Sequence, residues 1–267
     1  MTNLKLKQNA KIERAMASSF SAFADELSPD RDVLPSGLDG VVQQIESAYY
    51  GKLPGSIPRQ KIDEVAALVQ RMASETTDGY FGVRGRAPVK GTFLETFGVD
   101  DEYRRFCDCL CTRLSNLPQQ NEDMHLTLRA IRSGEQQASG HSFYFHYDSF
   151  VLTFIIPIII PEGDNAGDLL IMPKSRNLRT TYVQNIFDKA IVDSNYQQKR
   201  FRKIYQKKNS KLKRIKLELG KIYVFEGYKC VHSNEAPPPG EVRSTAVLHY
   251  YDPHANDILK KLKGRLR

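Results

Sequence analysis

Residues Phe143 to Phe150 read FYFHYDSF, which places His146 and Asp148 two apart with Tyr147 between them. In an extended segment side chains alternate faces, so the imidazole and the carboxylate project one way and Tyr147 the other. Such a pair can hold a metal ion, or it can be a hydrogen-bonded pair at a strand end. Further along, His232 closes the run YVFEGYKCVH, and eleven residues later Arg243 begins RSTAVLHYY. Two imidazoles and one carboxylate with coordination positions left open suit non-haem Fe(II). Arg243 offers a planar guanidinium for two-point recognition of a carboxylate, and Thr245, of the same strand parity, adds a hydroxyl. A metal beside a carboxylate clamp is what a 2-oxo acid cosubstrate requires.

The ordered set of His-x-Asp, a distal His, and an Arg with a hydroxyl residue two positions on resembles the Fe(II)/2-oxoglutarate-dependent dioxygenases. The stretch EGDNAGDLLIMP is similar to the turn and strand that follow the first motif in that family, and LELGKIYVFEG to the strand that leads to the distal His. The likeness spans roughly residues 124 to 252. It implies that His146, Asp148 and His232 hold Fe(II), and that Arg243, helped by Thr245, binds the distal carboxylate of 2-oxoglutarate. It also implies consumption of O2, release of succinate and hydroxylation of a substrate. Tyr144, sharing the parity of His146, and Arg129, in LRAIRSG, are further candidates for cosubstrate contact. Arg132 in the same run is a candidate carboxylate binder alongside Arg129, Asn234 two residues after His232 is a candidate for lining the site, and His125, His141, His249 and His254 have no partner in the pattern.

The segment GYKCVHSNEAPPPGEVRSTAVLHYYDPHAND, with a basic insertion before it, resembles the branch that hydroxylates 3-deoxy-D-manno-oct-2-ulosonic acid (Kdo) in the lipid A inner core. That branch implies an anionic glycolipid substrate. The same iron site would equally serve a hydroxylase of another small molecule, a protein or a nucleic acid. A jelly roll without catalysis, binding RNA or membrane through basic segments, is the non-enzyme alternative.

These residues need elements to position them. Residues 1 to about 120 predict helices over AKIERAMASSFSAFADEL, GLDGVVQQIESAYYG, PRQKIDEVAALVQRMASET and EYRRFCDCLCTRLSNL. From residue 124 the texture turns to short apolar runs punctuated by Gly and Pro: HLTLRAIR, HSFYFHYD, FVLTFIIPIII, GDLLIMP, IKLEL, KIYVFEG and STAVLHYY. The expectation is one α+β domain over 1–267. It comprises a double-stranded β-helix (jelly roll) core over 124–252, N-terminal helices packed outside, a helical insertion at about 177–208 and a tail at 253–267.

Charge is localised. The net charge of +8 conceals ten Lys or Arg without an acid between Lys199 and Lys216, and five more in the last ten residues. Setting those fifteen aside leaves twenty-four basic residues against thirty-one acidic ones, so the body of the chain is acidic. Aromatic residues interleave the basic run (Tyr196, Phe201, Tyr205), and the tail spaces Ile258, Leu259, Leu262 and Leu266 at helical intervals. Two basic amphipathic segments predict peripheral contact with an anionic membrane surface ahead of nucleic acid. The start of the chain lacks a secretory pattern and its four cysteines read as reduced thiols, which predicts a cytoplasmic protein, peripheral on the inner face of the membrane. Cys107, Cys109 and Cys111 alternate along one helix, a spacing poorly suited to zinc. Nothing in the sequence indicates the oligomeric state.

Overall fold

The computed structural model describes residues 37–75, 79–99, 101–120, 122–132, 141–163, 167–174, 176–209 and 211–265. The helix expected over AKIERAMASSFSAFADEL lies outside them. The chain runs α1 (Gly37–Ala48), β1 (Gly51–Lys52), α2 (Arg59–Ser74) and β2 (Tyr80–Arg84). Two short 3₁₀ turns lead to α3 (Asp101–Ser115), β3 (His125–Arg132), β4 (Leu152–Ile159) and β5 (Leu169–Lys174). The insertion is two helices, α4 (Tyr182–Asp193) and α5 (Asn195–Gln206). Then come β6 (Lys213–Ile215), β7 (Tyr223–Phe225), β8 (Cys230–Asn234), β9 (Val242–Tyr250) and α6 (Ile258–Arg265).

Two antiparallel sheets face one another as a jelly roll. The larger has the order β1-β7-β4-β9-β3-β2 and the smaller β6-β5-β8. Strand parity divides the apolar residues among three cores. On β4, Phe154, Ile156 and Ile158 turn outward to meet α1–α3, while Ile155 turns inward. On β7, Val224 points out and Tyr223 and Phe225 point in, where they pack with Ile155, Leu169, Ile171 and Ile215 between the sheets. Leu170 and Val231 leave the smaller sheet on its far side and meet Val192 and Phe201 of the insertion. The layers are therefore helix, sheet, sheet, helix. Helix α2 buries Ile62, Val65, Val69 and Ala73, the face its spacing predicts. Cys107 and Cys111, outside any disulfide, are buried in the outer core of α3.

Two local expectations, over HSFYFHYD and IKLEL, need correction. HSFYFHYD is not a strand: it makes a single bridge, His146 to His232, because Phe143 takes a left-handed conformation (φ 54°) that breaks the ladder. YVFEGYKCVH begins as a strand, β7, as expected, and after a turn at Glu226–Lys229, in which Lys229 and Cys230 both donate to the Glu226 carbonyl, continues as β8 in the other sheet. IKLEL contributes only its first residue to a strand, since β6 ends at Ile215. The helical N-terminal half also supplies two strands, and β2 pairs along β3 from Tyr80↔Ile131 to Arg84↔Thr127.

Candidate metal centre and its cavity

Although irregular, the segment 143–148 is held in place residue by residue. Phe143 N donates to Asn234 O (2.8 Å), His146 and His232 exchange both backbone bonds (3.0 Å each), and Asp148 N donates to Gly227 O (2.9 Å). On its outer side Gln198 of α5 substitutes for a neighbouring strand. Its amide accepts from Phe145 N (3.0 Å) and donates to Phe145 O (2.7 Å) and Val192 O (2.8 Å). Tyr147 does point away from His146 and Asp148, into the core shared with the insertion. There its ring covers the Arg176 guanidinium at 3.9 Å, and the Tyr228 ring covers the same group at 4.1 Å.

The ligand atoms of His146, Asp148 and His232 all lie within 4.8 Å of one another. His232 Nε2 is 3.2 Å from one Asp148 oxygen and His146 Nε2 is 3.7 Å from the other. Neighbouring ligands of an octahedral ion with bonds of about 2.1 Å stand roughly 3 Å apart, so the cluster is of the right size. Each imidazole is oriented by its other nitrogen: His146 Nδ1 meets Tyr144 O and His232 Nδ1 meets Cys230 O, both at 3.1 Å. Hydrogen on Nδ1 leaves the Nε2 lone pair for a metal. Burial, reinforced by the neighbouring His232 ring, pushes His146 down to about 3, so it is neutral at physiological pH. Burial opposes ionisation of Asp148, but the His232 and His249 imidazoles outweigh it and hold the carboxyl well below its usual range.

A cavity of about 470 Å³ opens on this cluster, lined also by Tyr80, Arg84, Thr127, Arg129, Thr153 and His249. The inward parity of the large sheet builds it. Thr127 and Arg129 of β3 lie opposite Val247 and Thr245 of β9, and Thr153 of β4 lies opposite His249. The hydroxyl of Thr153 donates to Asp148 Oδ2, and His249 Nε2 lies 3.5 Å from Asp148 Oδ1. His249, dismissed on the sequence pattern, thus belongs to the site. Its parity with Arg243 and Thr245 on one strand was the available signal. Gly227 is needed as well, because a Cβ there would overlap both the Asp148 carboxylate and the Thr153 hydroxyl.

Arg243 is buried on the same inward face, with Nε donating to Gly167 O (2.5 Å) and no partner for Nη2. Thr245 Oγ1 and Arg129 Nε are likewise buried without partners. Among the described residues neither guanidinium has a carboxylate within salt-bridge distance. Burial lowers both from the ordinary arginine value, and Arg243 is lowered further by Arg129. Arg243, buried, Arg129, half-buried, and the Thr245 hydroxyl thus hold unused hydrogen-bonding atoms of the kind an anion satisfies. Tyr144 stacks against the His146 ring (centroids 5.9 Å apart) but is itself 40% exposed and does not line the cavity. Asn234 is buried with its amide on Glu235 O (2.9 Å). His141 stacks on Tyr80, and His254 bonds the Tyr228 hydroxyl (3.0 Å).

No protein-family model matches the chain, and a comparison with curated proteins finds no significant match. Among solved structures, the non-haem alpha-ketoglutarate-dependent epimerase SnoN from nogalamycin biosynthesis superposes with a TM-score of 0.50 at 14% identity, over 82% of this chain and 84% of that one. SnoN in complex with Fe3+, alpha ketoglutarate and nogalamycin RO gives the same score and identity over 82% and 85%. A prolyl 4-hydroxylase from Phytophthora capsici scores 0.50 at 10% identity, over 82% of this chain and 64% of that one. At such identities the shared property is the fold: the chain is similar to these proteins in its jelly-roll architecture.

Proposed function

We propose that the protein is an Fe(II)- and 2-oxoglutarate-dependent oxygenase that hydroxylates an anionic substrate. The observation that carries this reading is the convergence of His146, Asp148 and His232 on a cavity of the same inward face that holds Arg243, Thr245 and Arg129 with buried, unsatisfied polar atoms. The donor set, two imidazoles and one carboxylate, suits Fe(II). A carboxylate at Arg243 Nη2 and Thr245 Oγ1 would satisfy both orphaned atoms at once, as the distal carboxylate of 2-oxoglutarate requires. The binding of Fe3+ and alpha ketoglutarate by SnoN, a protein of the same fold, supports the reading by analogy.

His146, Asp148 and His232 would hold Fe(II), which would supply oxygen activation coupled to oxidative decarboxylation of the oxo acid to succinate. The chain's own residues do the rest. His146 and His232 present Nε2 because backbone carbonyls hold Nδ1, and Thr153 and His249 fix the rotation of the Asp148 carboxylate. Ile155 and Val247 give the cavity apolar wall between these polar groups and limit water beside the reacting centre. Arg84 and Arg129 make the remaining lining cationic, which favours a substrate carrying carboxylate or phosphate. Within that class the sequence likeness points to Kdo, a sugar acid.

Anaerobic titration with Fe(II) and 2-oxoglutarate, followed by admission of air and assay of succinate, tests the class. Iron-dependent oxo-acid binding that is lost in His146→Ala is expected; binding that is absent, or unchanged in that variant, rejects it. Mass spectra of lipid A precursors incubated with the protein test the substrate, and no added oxygen atom on the Kdo unit rejects it.

A further inference from the structure

Helix α4 carries its apolar residues on the wrong side for a core. Val183, Phe187 and Ile191, four residues apart, and Ile186 between them are 55%, 66%, 43% and 39% exposed. The opposite side of the same helix buries Asn185 and Val192. The helix is well formed, with Thr181 capping its start by accepting from Gln184 N (3.3 Å). The exposed stripe is therefore a property of a fixed element. It continues at both ends. Tyr182 N approaches Asp257 Oδ2 (3.4 Å) at the start of α6, where Ile258 and Leu259 are 75% and 52% exposed, and beyond Ser194 the Tyr196 ring is 74% exposed.

The flank of this stripe is cationic. Helix α5 follows directly and exposes Lys199, Arg200, Arg202 and Lys203, with Lys207 and Lys208 exposed just past its end and no acid on the helix. Not all of the basic run is free for a partner: Arg214 is taken up internally by Asp168 and Glu235 (3.0 and 2.7 Å), and Lys213 lies over the Tyr49 ring (5.2 Å). The free charges are thus concentrated on the helix beside the apolar stripe.

We propose that α4, with α5 beside it and the start of α6, docks on an anionic lipid surface, inserting Val183, Ile186, Phe187 and Ile191 among the acyl chains while the α5 lysines and arginines meet the headgroups. The charge complementarity selects this occupant. A second copy of the chain would bring one unneutralised α5 against another, and a nucleic acid would engage the cations but leave the aliphatic stripe wetted. The surface adjoins the metal segment. Lys189 on α4 donates to Ser149 Oγ (2.7 Å), next in sequence to Asp148. The docking does not depend on the iron reading and is testable without metal.

The experiment is sedimentation of the full chain with vesicles of phosphatidylcholine alone or with about 30 mol% phosphatidylglycerol, at low salt. Wild type, Phe187→Ser/Ile191→Ser and Lys199→Glu/Lys203→Glu are compared after circular dichroism confirms that each variant is folded. Binding only to the anionic vesicles is expected, weakened at least tenfold by either double substitution and by about 0.5 M salt. Wild type that fails to sediment above the phosphatidylcholine control overturns the proposal. So does an apolar variant that binds as wild type does, which would leave a purely electrostatic surface. A polyuridylate oligonucleotide that binds more tightly than the vesicles, or a concentration-dependent dimer abolished by Phe187→Ser/Ile191→Ser, would assign the face to RNA or to a second copy and overturn it equally.

Discussion

His249 Nε2 stands 3.5 Å from Asp148 Oδ1, while the Thr153 hydroxyl reaches Asp148 Oδ2. His249 and Thr153 are direct cross-strand partners on β9 and β4, so one rung of the large sheet grips both oxygens of a carboxylate borne by the opposite wall. A carboxylate turned by two such donors keeps its orientation before and after a metal arrives.

His249→Ala should therefore weaken Fe(II) or Mn(II) binding by about tenfold or more, the usual consequence of removing an outer-shell partner. His249→Gln, which retains a donor, should recover part of the loss. Anaerobic calorimetry with either ion measures it, and equal losses in the two variants would show that the hydrogen bond is not what matters.

Arg243→Met should behave differently from a typical core substitution. The guanidinium is buried with an unpartnered Nη2, so an apolar chain of similar length removes a desolvated charge, and thermal stability without ligands should hold or rise. What should disappear is the added stability from 2-oxoglutarate. That gain is about 2.7 kcal/mol in a wild type given cosubstrate at a hundred times its Kd. Thermal unfolding with and without 2-oxoglutarate gives both numbers.

Gly227→Ala tests the close approach at the centre. The added methyl would overlap the Asp148 carboxylate and the Thr153 hydroxyl, so either the turn or the carboxylate must shift. Metal affinity should fall much further than stability does, as calorimetry and thermal unfolding on the same sample would show.

Gln198→Ala removes three hydrogen bonds at once and leaves Phe145 N and O buried without partners. Each buried group left unsatisfied costs about 1–3 kcal/mol, so a stability loss of roughly 2–6 kcal/mol is expected by urea denaturation. Hydrogen exchange at Phe145 should quicken in step, because Gln198 is the acceptor for its amide.

The candidate metal ligands were legible because their chemistry is ordered along the chain: His146 and Asp148 two apart, then His232, then Arg243 with Thr245. The helices α1, α2 and α3 were legible from the spacing of their buried residues. What escaped was set by long-range pairing. Strand β2 was hidden because YFGVR alternates poorly and gains its place only along β3. The break between β7 and β8 depends on a turn within an apolar run. Histidine 249 looked unremarkable because its partner lies about a hundred residues away on another strand, although its parity with Arg243 was open to view. The segment around His146 reads as a strand by composition, yet a left-handed Phe143 and a glutamine from a helix decide its path.

Tyr147 was first only the spacer between two ligands. Its ring and that of Tyr228 close on Arg176 from two sides, and Arg176 in turn reaches Asp188 on α4 (3.1 Å) and Tyr228 O (2.7 Å). The residue between the ligands is thus riveted to the helix that carries the exposed apolar stripe. An event at that outer face, whether a partner pressing on α4 or an exchange of residues 177–208 for a shorter loop, has a mechanical route of two side chains to His146 and Asp148. The outer layer and the metal centre are not separable modules in this jelly roll, and redesign of one is redesign of the other.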